Sequence, residues 1–319
     1  MPLSEFELIR KYFQSPSGAR PDVRCGIGDD AAIVAVPDGM DLALSMDTLV
    51  AGVHFHPDAA PADIGYKSLA VNLSDLAAMG AQPAWALLSL TLPEADETWL
   101  GQFMRGFNEL AEKYAVALIG GDLSRGPLSV TLEVHGFVPA GSGLRRTGAR
   151  ADDLVYVSGT LGDAGLALKV LAGQAAVSAG DQSYLCGRLH RPSPRVALGL
   201  ALHEVATSAI DLSDGLAADL GHVLEASGVG ARLDPEKLPL SEALQRLDRE
   251  AAWEIAATAG DDYELSFTVP PEKRSVFEEE RALECPVTCI GRICAQPGLQ
   301  WVRPNGVTWR PEGAGYRHF

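Results

Sequence analysis

Apolar residues at Leu3, Phe6, Ile9, Tyr12 and Phe13 alternate with charged ones, the spacing of an amphipathic helix, and a polar linker follows through Pro21. Residues 31–36 and 42–46 are short apolar runs on either side of Pro37-Asp38-Gly39, which predicts a hairpin whose second strand ends at Asp47. Helical material is expected over 61–79, a strand over 85–92, a long helix over 94–114 and a buried strand over 115–119 that runs into Gly120-Gly121-Asp122. Residues 128–138 alternate well enough for another strand. Inside 72–83 the pattern NLSDLAAMGAQP reads as a turn opening a short helix, with Asn72 and Ser74 as N-cap residues, Asp75 at the helix start, and Gly80 and Pro83 as the stop.

The glycines, polar residues and clustered arginines of GSGLRRTGARADD, over 141–153, predict a boundary, so two domains are expected, 1–140 and 141–319. Beyond it a strand is expected over 154–158, then a glycine-rich turn, GTLGDAG, into a helix that ends near Leu171. A helix over 195–207, a strand over 209–212 and a helix over 216–226 come next, followed by short strands over 265–269, 287–293 and 299–302. Strands and helices alternate, which places the chain in the α/β class. The halves echo each other in NLSDL and DLSDGL, each an aspartate beside a serine at an expected helix start.

Composition narrows the function. At 319 residues with 47% apolar content, the chain can bury a core in each of two domains. A formal charge of -16 excludes a nucleic-acid backbone as the expected partner, because that binding needs clustered Lys and Arg. Small phosphates carried with metal ions remain compatible with the charge. Five cysteines, an odd number without CxxC spacing, and no signal-like start predict a reducing cytoplasm. No apolar run reaches the length of a membrane span.

The chemistry lies in acidic residues next to glycines or at the ends of apolar runs: Asp29-Asp30, Asp47, Asp75, Asp122, Asp211, Asp214 and Asp261-Asp262. Oxygen ligands without a thiolate or imidazole cluster select hard cations, and Mg2+ commonly uses few carboxylates together with substrate phosphates. A single such aspartate is as well read as a cap or turn residue; the recurrence points to one metal–phosphate site. GIGDD is not a GxGxxG fingerprint, GTLGDAG lacks the Lys-Ser/Thr of a P-loop, and no EF-hand loop or GxSxG elbow is present. Arg145 and Arg146 are open to two readings, a guanidinium for a transferred phosphoryl group or solvated linker charges. His54 and His56 would share one face of an extended segment, but a third zinc ligand is not evident.

Taken together, GIGDDAAIV, SMDTLVAGVHF, YKSLAVNLSDLAAMGAQPAW, LIGGDLSRGPLSVTLEVHGFVP, RRTGAR, AIDLSDGLAADLGH, GDDYEL and the final GYRHF resemble the thiamine-monophosphate kinase family. That family lies in the superfamily of aminoimidazole ribonucleotide synthetase and selenophosphate synthetase. The resemblance implies an α/β fold of α+β type with two domains: an N-terminal mixed sheet whose helices and strands pair across a homodimer, and a C-terminal α/β domain. It implies ATP as co-substrate, thiamine monophosphate as acceptor and several Mg2+ ions, with direct in-line transfer. By motif, Asp30, Ser45, Met46 through its backbone, Asp47, Asp75, Asp122, Asp211 and Asp214 would be metal ligands. Gly121, Asp122, Arg146 and Ser213 would contact ATP; His54, Asp261 and Phe319 would hold thiamine phosphate; Arg146 and Asp75 would act in catalysis. Asp261 departs from the glutamate usual at its position. Selenophosphate synthetase would need a reactive cysteine that Cys25 does not reproduce, and hydrogenase-maturation relatives would need a terminal cysteine. A binding protein without catalysis is the remaining alternative, separated from the kinase by turnover.

Overall fold

The computed structural model describes residues 3–14, 20–279, 285–313 and 315–316, and the chain forms two compact units. The first comprises residues up to Leu76 with Ala81–Ser142; the second comprises Ala77–Gly80 with Gly143 onward. Phe319 lies outside the described residues. Among the described residues, no helix is long and apolar enough to cross a membrane.

The first unit begins with α1 (Glu5–Leu8), continued by a wider turn of helix over Ile9–Phe13, and a two-stranded ladder of β1 (Val23–Cys25) and β2 (Ile33–Val34). Its main sheet contains β3 (Met40–Val50), β4 (Gln82–Leu92), β5 (Ala117–Arg125) and β6 (Ser129–Pro139) in the order β3-β6-β4-β5, with β4 and β5 parallel and the other pairs antiparallel. The remaining helices are α2 (Pro61–Ala78) and α3 (Glu97–Lys113).

Residues 31–36 and 42–46 do not form the expected hairpin. β2 pairs with β1, whereas β3 pairs with β6 through an unbroken register from Met40↔Pro139 to Val50↔Ser129, which satisfies far more backbone groups than a short local hairpin could. β3 therefore continues beyond Asp47. Asp75 is likewise not at a helix start: α2 begins at Pro61, whose missing N–H costs nothing at a first helical position, and Asp75 lies in the last turns of that helix.

The long helix expected over 94–114 is α3, and it is amphipathic. Asp96 caps it by accepting from the Thr98 and Trp99 amides, and Leu100, Phe103, Met104, Phe107, Leu110 and Ala111 form its buried stripe. α2 and α3 touch backbone to backbone. A Cβ on Gly65 would stand 2.0 Å from the Phe103 carbonyl oxygen, and one on Gly106 would stand 1.7 Å from that of Ala62. This crossing fixes the helix that carries Asn72 and Asp75 over the sheet.

The second unit is built on a seven-stranded sheet from β7 (Leu154–Ser158), β8 (Ser208–Asp211), β9 (Gly230–Leu233), β10 (Leu265–Val269), β11 (Val287–Cys294), β12 (Gly298–Val302) and β13 (Thr308–Trp309). Their order is β13-β12-β9-β11-β7-β10-β8, antiparallel throughout except for β12 with β9. Its helices are α4 (Asp163–Leu171), α5 (Ala179–His190), α6 (Val196–Ala201), α7 (Leu216–Ser227), α8 (Glu242–Gln245), α9 (Arg249–Thr258) and α10 (Arg274–Glu279). Val155, Val157, Ile210, Leu220, Trp253, Ile290 and Trp301 belong to one core cluster; Ala164, Leu166, Leu185, Leu189 and Leu244 belong to another. The helix expected over 195–207 is reduced to α6, after which the chain turns.

Candidate functional site

In the first unit, β3 and α2 bring four of the polar side chains together. Ser45 and Asp47, two positions apart on a strand, project to one face, and Asn72 and Asp75, three apart on a helix, also share a face. The Ser45 hydroxyl donates to Asp75 Oδ2 at 2.5 Å. The Asp47 amide donates to Asn72 Oδ1 at 3.2 Å, while Asn72 Nδ2 donates back to the Ser68 carbonyl at 2.9 Å, so the buried amide of Asn72 is used at both ends. Asn72 is thus a positioning group within the helix rather than its cap.

Burial pushes the Asp47 carboxyl up to about 6, and the neighbouring Asp75 charge adds to the rise. The Asp75 carboxylate is close enough to raise the cost of ionising Asp47, and a hydroxyl and an amide oxygen lie beside the two. This oxygen-only donor set fits a hard divalent cation, which would relieve the crowding. Among the described residues no group of three or more His, Cys, Asp or Glu that could hold a metal ion comes together.

The other residues of this unit are held by local contacts. Asp30 is exposed after the GIGD turn, its amide donating to Asp29 Oδ1 at 2.9 Å. Asp122 is exposed on β5 opposite Ser89 of β4, and its Oδ2 accepts from Ser124 at 2.6 Å. Gly121 before it has φ 148, and a Cβ there would lie 1.8 Å from the Leu88 carbonyl oxygen, so only glycine allows the two strands to approach in this way. Met46 stands on β3 opposite Glu133, with its side chain 58% exposed. His54 lies in a turn, not an extended segment: its amide donates to the Val50 carbonyl at 2.9 Å and its Nδ1 accepts from the Val50 amide at 3.0 Å. That bond leaves Nε2 to carry the proton in the neutral ring. His56 is exposed beside Asp58.

In the second unit, Asp211 ends β8 and is 5% exposed, and the loop Leu212–Gly215 leads into α7. Asp219, in the first turn of α7, accepts from the Asp214 and Gly215 amides at 3.0 Å each and so fixes the loop that carries Ser213 and Asp214. The segment 260–264 runs beside this loop. The Asp261 amide donates to the Ser213 carbonyl, the Tyr263 amide to the Leu212 carbonyl and the Leu212 amide to the Glu264 carbonyl, each at 2.8 Å. Asp261 and Tyr263 have φ 68 and 50, a conformation costly for residues with side chains, and the Tyr263 hydroxyl donates to Asp261 Oδ1 at 3.1 Å. Tyr316 joins the same loop through its amide, which donates to the Asp214 carbonyl at 3.0 Å.

Arg146 is exposed, on a segment held from behind: the Ser227 hydroxyl donates to its carbonyl at 3.2 Å, and the carbonyl of Arg145 accepts from the Ala209 amide at 3.0 Å. The fixed backbone gives the long side chain a defined origin.

A buried ionic network lies behind the 260–264 segment. Glu264, with no exposure, accepts from Ser158 at 2.5 Å, from Arg188 Nη2 at 2.8 Å, and from Arg195 Nε and Nη2 at 2.6 and 2.5 Å. Asp163, also fully buried, accepts from Thr160 at 2.6 Å and Tyr184 at 2.9 Å. The GTLGDAG turn therefore makes the strand-to-helix connection and supplies Asp163 to this network; Gly159, at φ 57, has no room for a Cβ against the Glu264 carboxylate. Arg188 and Arg195 carry no motif signal of their own, whereas Glu264 lies in the GDDYEL motif without having been singled out.

The family model described as AIR synthase related protein, N-terminal domain, matches residues 28–138, and its C-terminal counterpart matches residues 150–302. A thiamine-monophosphate kinase of Salmonella typhimurium is 50% identical over 323 residues, covering 100% of this chain and 99% of the relative. One of Bacillus subtilis is 36% identical over 328 residues, covering 99% and 100%. A crystal structure of thiamine-monophosphate kinase from Stenotrophomonas maltophilia K279a superposes with a TM-score of 0.86 at 46% identity, covering 94% of this chain and 96% of that one. A structure described as AaThiL complexed with AMPPCP and TMP superposes with a TM-score of 0.78 at 33% identity, covering 98% and 96%.

Proposed function

We propose, from the premise that this chain belongs to the thiamine-monophosphate kinase family of AIR synthase related proteins, that it phosphorylates thiamine monophosphate to thiamine diphosphate with ATP, a step of thiamine diphosphate biosynthesis. The observation that carries the reading is the oxygen cluster of Ser45, Asp47 and Asp75 on two of the motifs that define the resemblance.

The acceptor oxygen belongs to a phosphate that is already anionic near neutral pH, so the chain need not supply a strong base; its problem is repulsion between donor and acceptor. Bound Mg2+ would supply the charge neutralisation that lets two phosphates approach in line. Asp47 and Asp75, with Ser45 and the Met46 backbone, would hold metal in the first unit, together with Asp30 and Asp122. Asp211 and Asp214 would do so in the second. Gly121 and Ser213 offer backbone and hydroxyl groups to nucleotide. Arg146 adds a guanidinium at the transferred phosphoryl group. His54 and Asp261 would position the thiamine phosphate, together with Phe319. Nothing in this scheme needs a nucleophilic side chain, so transfer is direct.

The chain would work as a homodimer. β3 is an outer strand of its sheet with no partner on its far side among the described residues, and Leu44 and Met46 on it are 57% and 58% exposed, a partly apolar strand of the kind that natural proteins cover. A reducing cytoplasm suits its five free cysteines.

The test is turnover with each acceptor. ATP, Mg2+ and thiamine monophosphate should give thiamine diphosphate and ADP in equal amounts, thiamine itself should not replace the monophosphate, and EDTA should stop the reaction. Folded protein that binds ATP but forms no thiamine diphosphate would leave the binding-protein reading in its place.

A further inference from the structure

We propose that Asp262 is a positioning residue: its side chain latches the 260–264 segment to the start of α4 and thereby holds Asp261 where it contacts thiamine monophosphate. The inference rests on the substrate role given to Asp261 above.

The geometry alternates along the segment. Asp261 and Tyr263 are both left-handed and joined side chain to side chain, with their amides tied to the Ser213 and Leu212 carbonyls. Asp262 lies between them and turns inward, 4% exposed, where its Oδ2 accepts from the Gly162 amide at 2.7 Å. Gly162 caps α4 with φ 85, a conformation suited to glycine, so its N–H is one of the unpaired donors at the helix start and Asp262 satisfies it from a distant part of the chain. Two left-handed residues with side chains, separated by one residue, persist only where their surroundings over-determine them. The latch supplies that constraint on one side, and the backbone bonds to 212–213 supply it on the other. Gly260 is part of the same close fit: a Cβ there would lie 2.3 Å from the Ser213 carbonyl oxygen.

The groups facing Asp262 are Asp163 from α4, Arg188 from α5 and Glu264 from the start of β10, with Arg195 in turn bound to Glu264. Burial pushes the Asp262 carboxyl up to about 8, so near neutral pH it is mostly protonated. Its second oxygen, Oδ1, is buried with no hydrogen-bond partner among the described residues. An asparagine has the shape and charge of this protonated side chain and keeps an acceptor for Gly162; alanine keeps neither.

Asp262→Asn and Asp262→Ala are to be compared with the wild-type protein in three measurements. Amide hydrogen exchange, read by mass spectrometry over peptides spanning residues 258–266, should be unchanged in Asp262→Asn and faster in Asp262→Ala. The KM for thiamine monophosphate should rise about tenfold in Asp262→Ala, the loss of one well-placed hydrogen bond, while the KM for ATP moves less than about twofold. As pH is raised through 8, the wild-type KM for thiamine monophosphate should climb relative to that of Asp262→Asn. The last comparison serves even where Asp262→Ala does not fold.

Asp262→Asn as impaired as Asp262→Ala, parallel wild-type and Asp262→Asn pH profiles, or a folded Asp262→Ala with unchanged exchange and unchanged KM for thiamine monophosphate would each overturn the latch. If the wild-type protein formed no thiamine diphosphate, the functional reading would fail instead, and the exchange comparison would still decide whether Asp262 holds the segment.

Discussion

Replacing Asp75 by asparagine separates a metal ligand from a structural group, because the two roles give opposite ratios of lost activity to lost stability. Asparagine retains an oxygen that can accept from Ser45, so the 2.5 Å charge-assisted bond becomes a neutral one, at a cost of about 1 kcal/mol. Against this, one of two crowded charges disappears. The rise of Asp47 from 3.8 to about 6 corresponds to roughly 3 kcal/mol at 1.36 kcal/mol per unit; burial is the larger cause and Asp75 the smaller, so about 1 kcal/mol returns when Asp75 is neutral. The sign follows from linkage. The native state holds its proton more tightly than the unfolded chain, so stability from this group falls as pH rises from about 4 through about 6, and the relief is fully felt at pH 7 and above.

The two contributions offset, and the metal-free variant should melt within about 4 °C of the wild type at pH 7.5. Turnover should nevertheless fall at least about 100-fold, the scale of losing part of a metal's charge stabilisation. Thermal unfolding followed by circular dichroism in EDTA, beside thiamine diphosphate formation at saturating Mg2+, gives both numbers. A variant that melts far lower and loses activity only in proportion to its folded fraction, or one that keeps wild-type turnover, would refute the assignment.

Gly106→Ala should destabilise the protein by about 1–3 kcal/mol in urea unfolding, since the added Cβ would meet the Ala62 carbonyl oxygen and force α2 and α3 apart; an unchanged midpoint would contradict the close crossing. Glu264→Ala should cost about 3–5 kcal/mol by the same assay, because Arg188 and Arg195 would be left buried without their shared carboxylate. Leu44→Lys puts a charge on the exposed side of β3 and should shift light-scattering mass after size exclusion from dimer to monomer, with the melting profile little changed; a persistent dimer would place the interface elsewhere.

The parts legible in the sequence were those decided by local pattern. The long helix α3, the buried runs of β4, β7 and β10, and the α7 helix after Gly215 all follow from periodicity and turn residues close at hand. Pairing across distance was not legible. Nothing within residues 31–46 reveals that β3 prefers a partner some ninety positions away, and the capping preferences of Asn72 and Ser74 yielded to a helix already running from Pro61. Of the candidate site, Ser45, Asp47 and Asp75 were marked by motif, whereas the bond from Ser45 to Asp75 joins elements distant in sequence. The network of Arg188, Arg195, Asp163 and Glu264 was missed for a related reason: arginines in polar helical stretches read as solvated until tertiary packing buries them against carboxylates.

The central claim is direct phosphoryl transfer from ATP to thiamine monophosphate. Its most direct test follows a radioactive γ-phosphate. Incubation with labelled ATP and Mg2+, first without and then with thiamine monophosphate, should leave the protein unlabelled in the first stage and place the label on the terminal phosphate of thiamine diphosphate in the second, one label per ADP formed. Label retained on the protein and passed to added acceptor, or label released only as inorganic phosphate, would contradict the account.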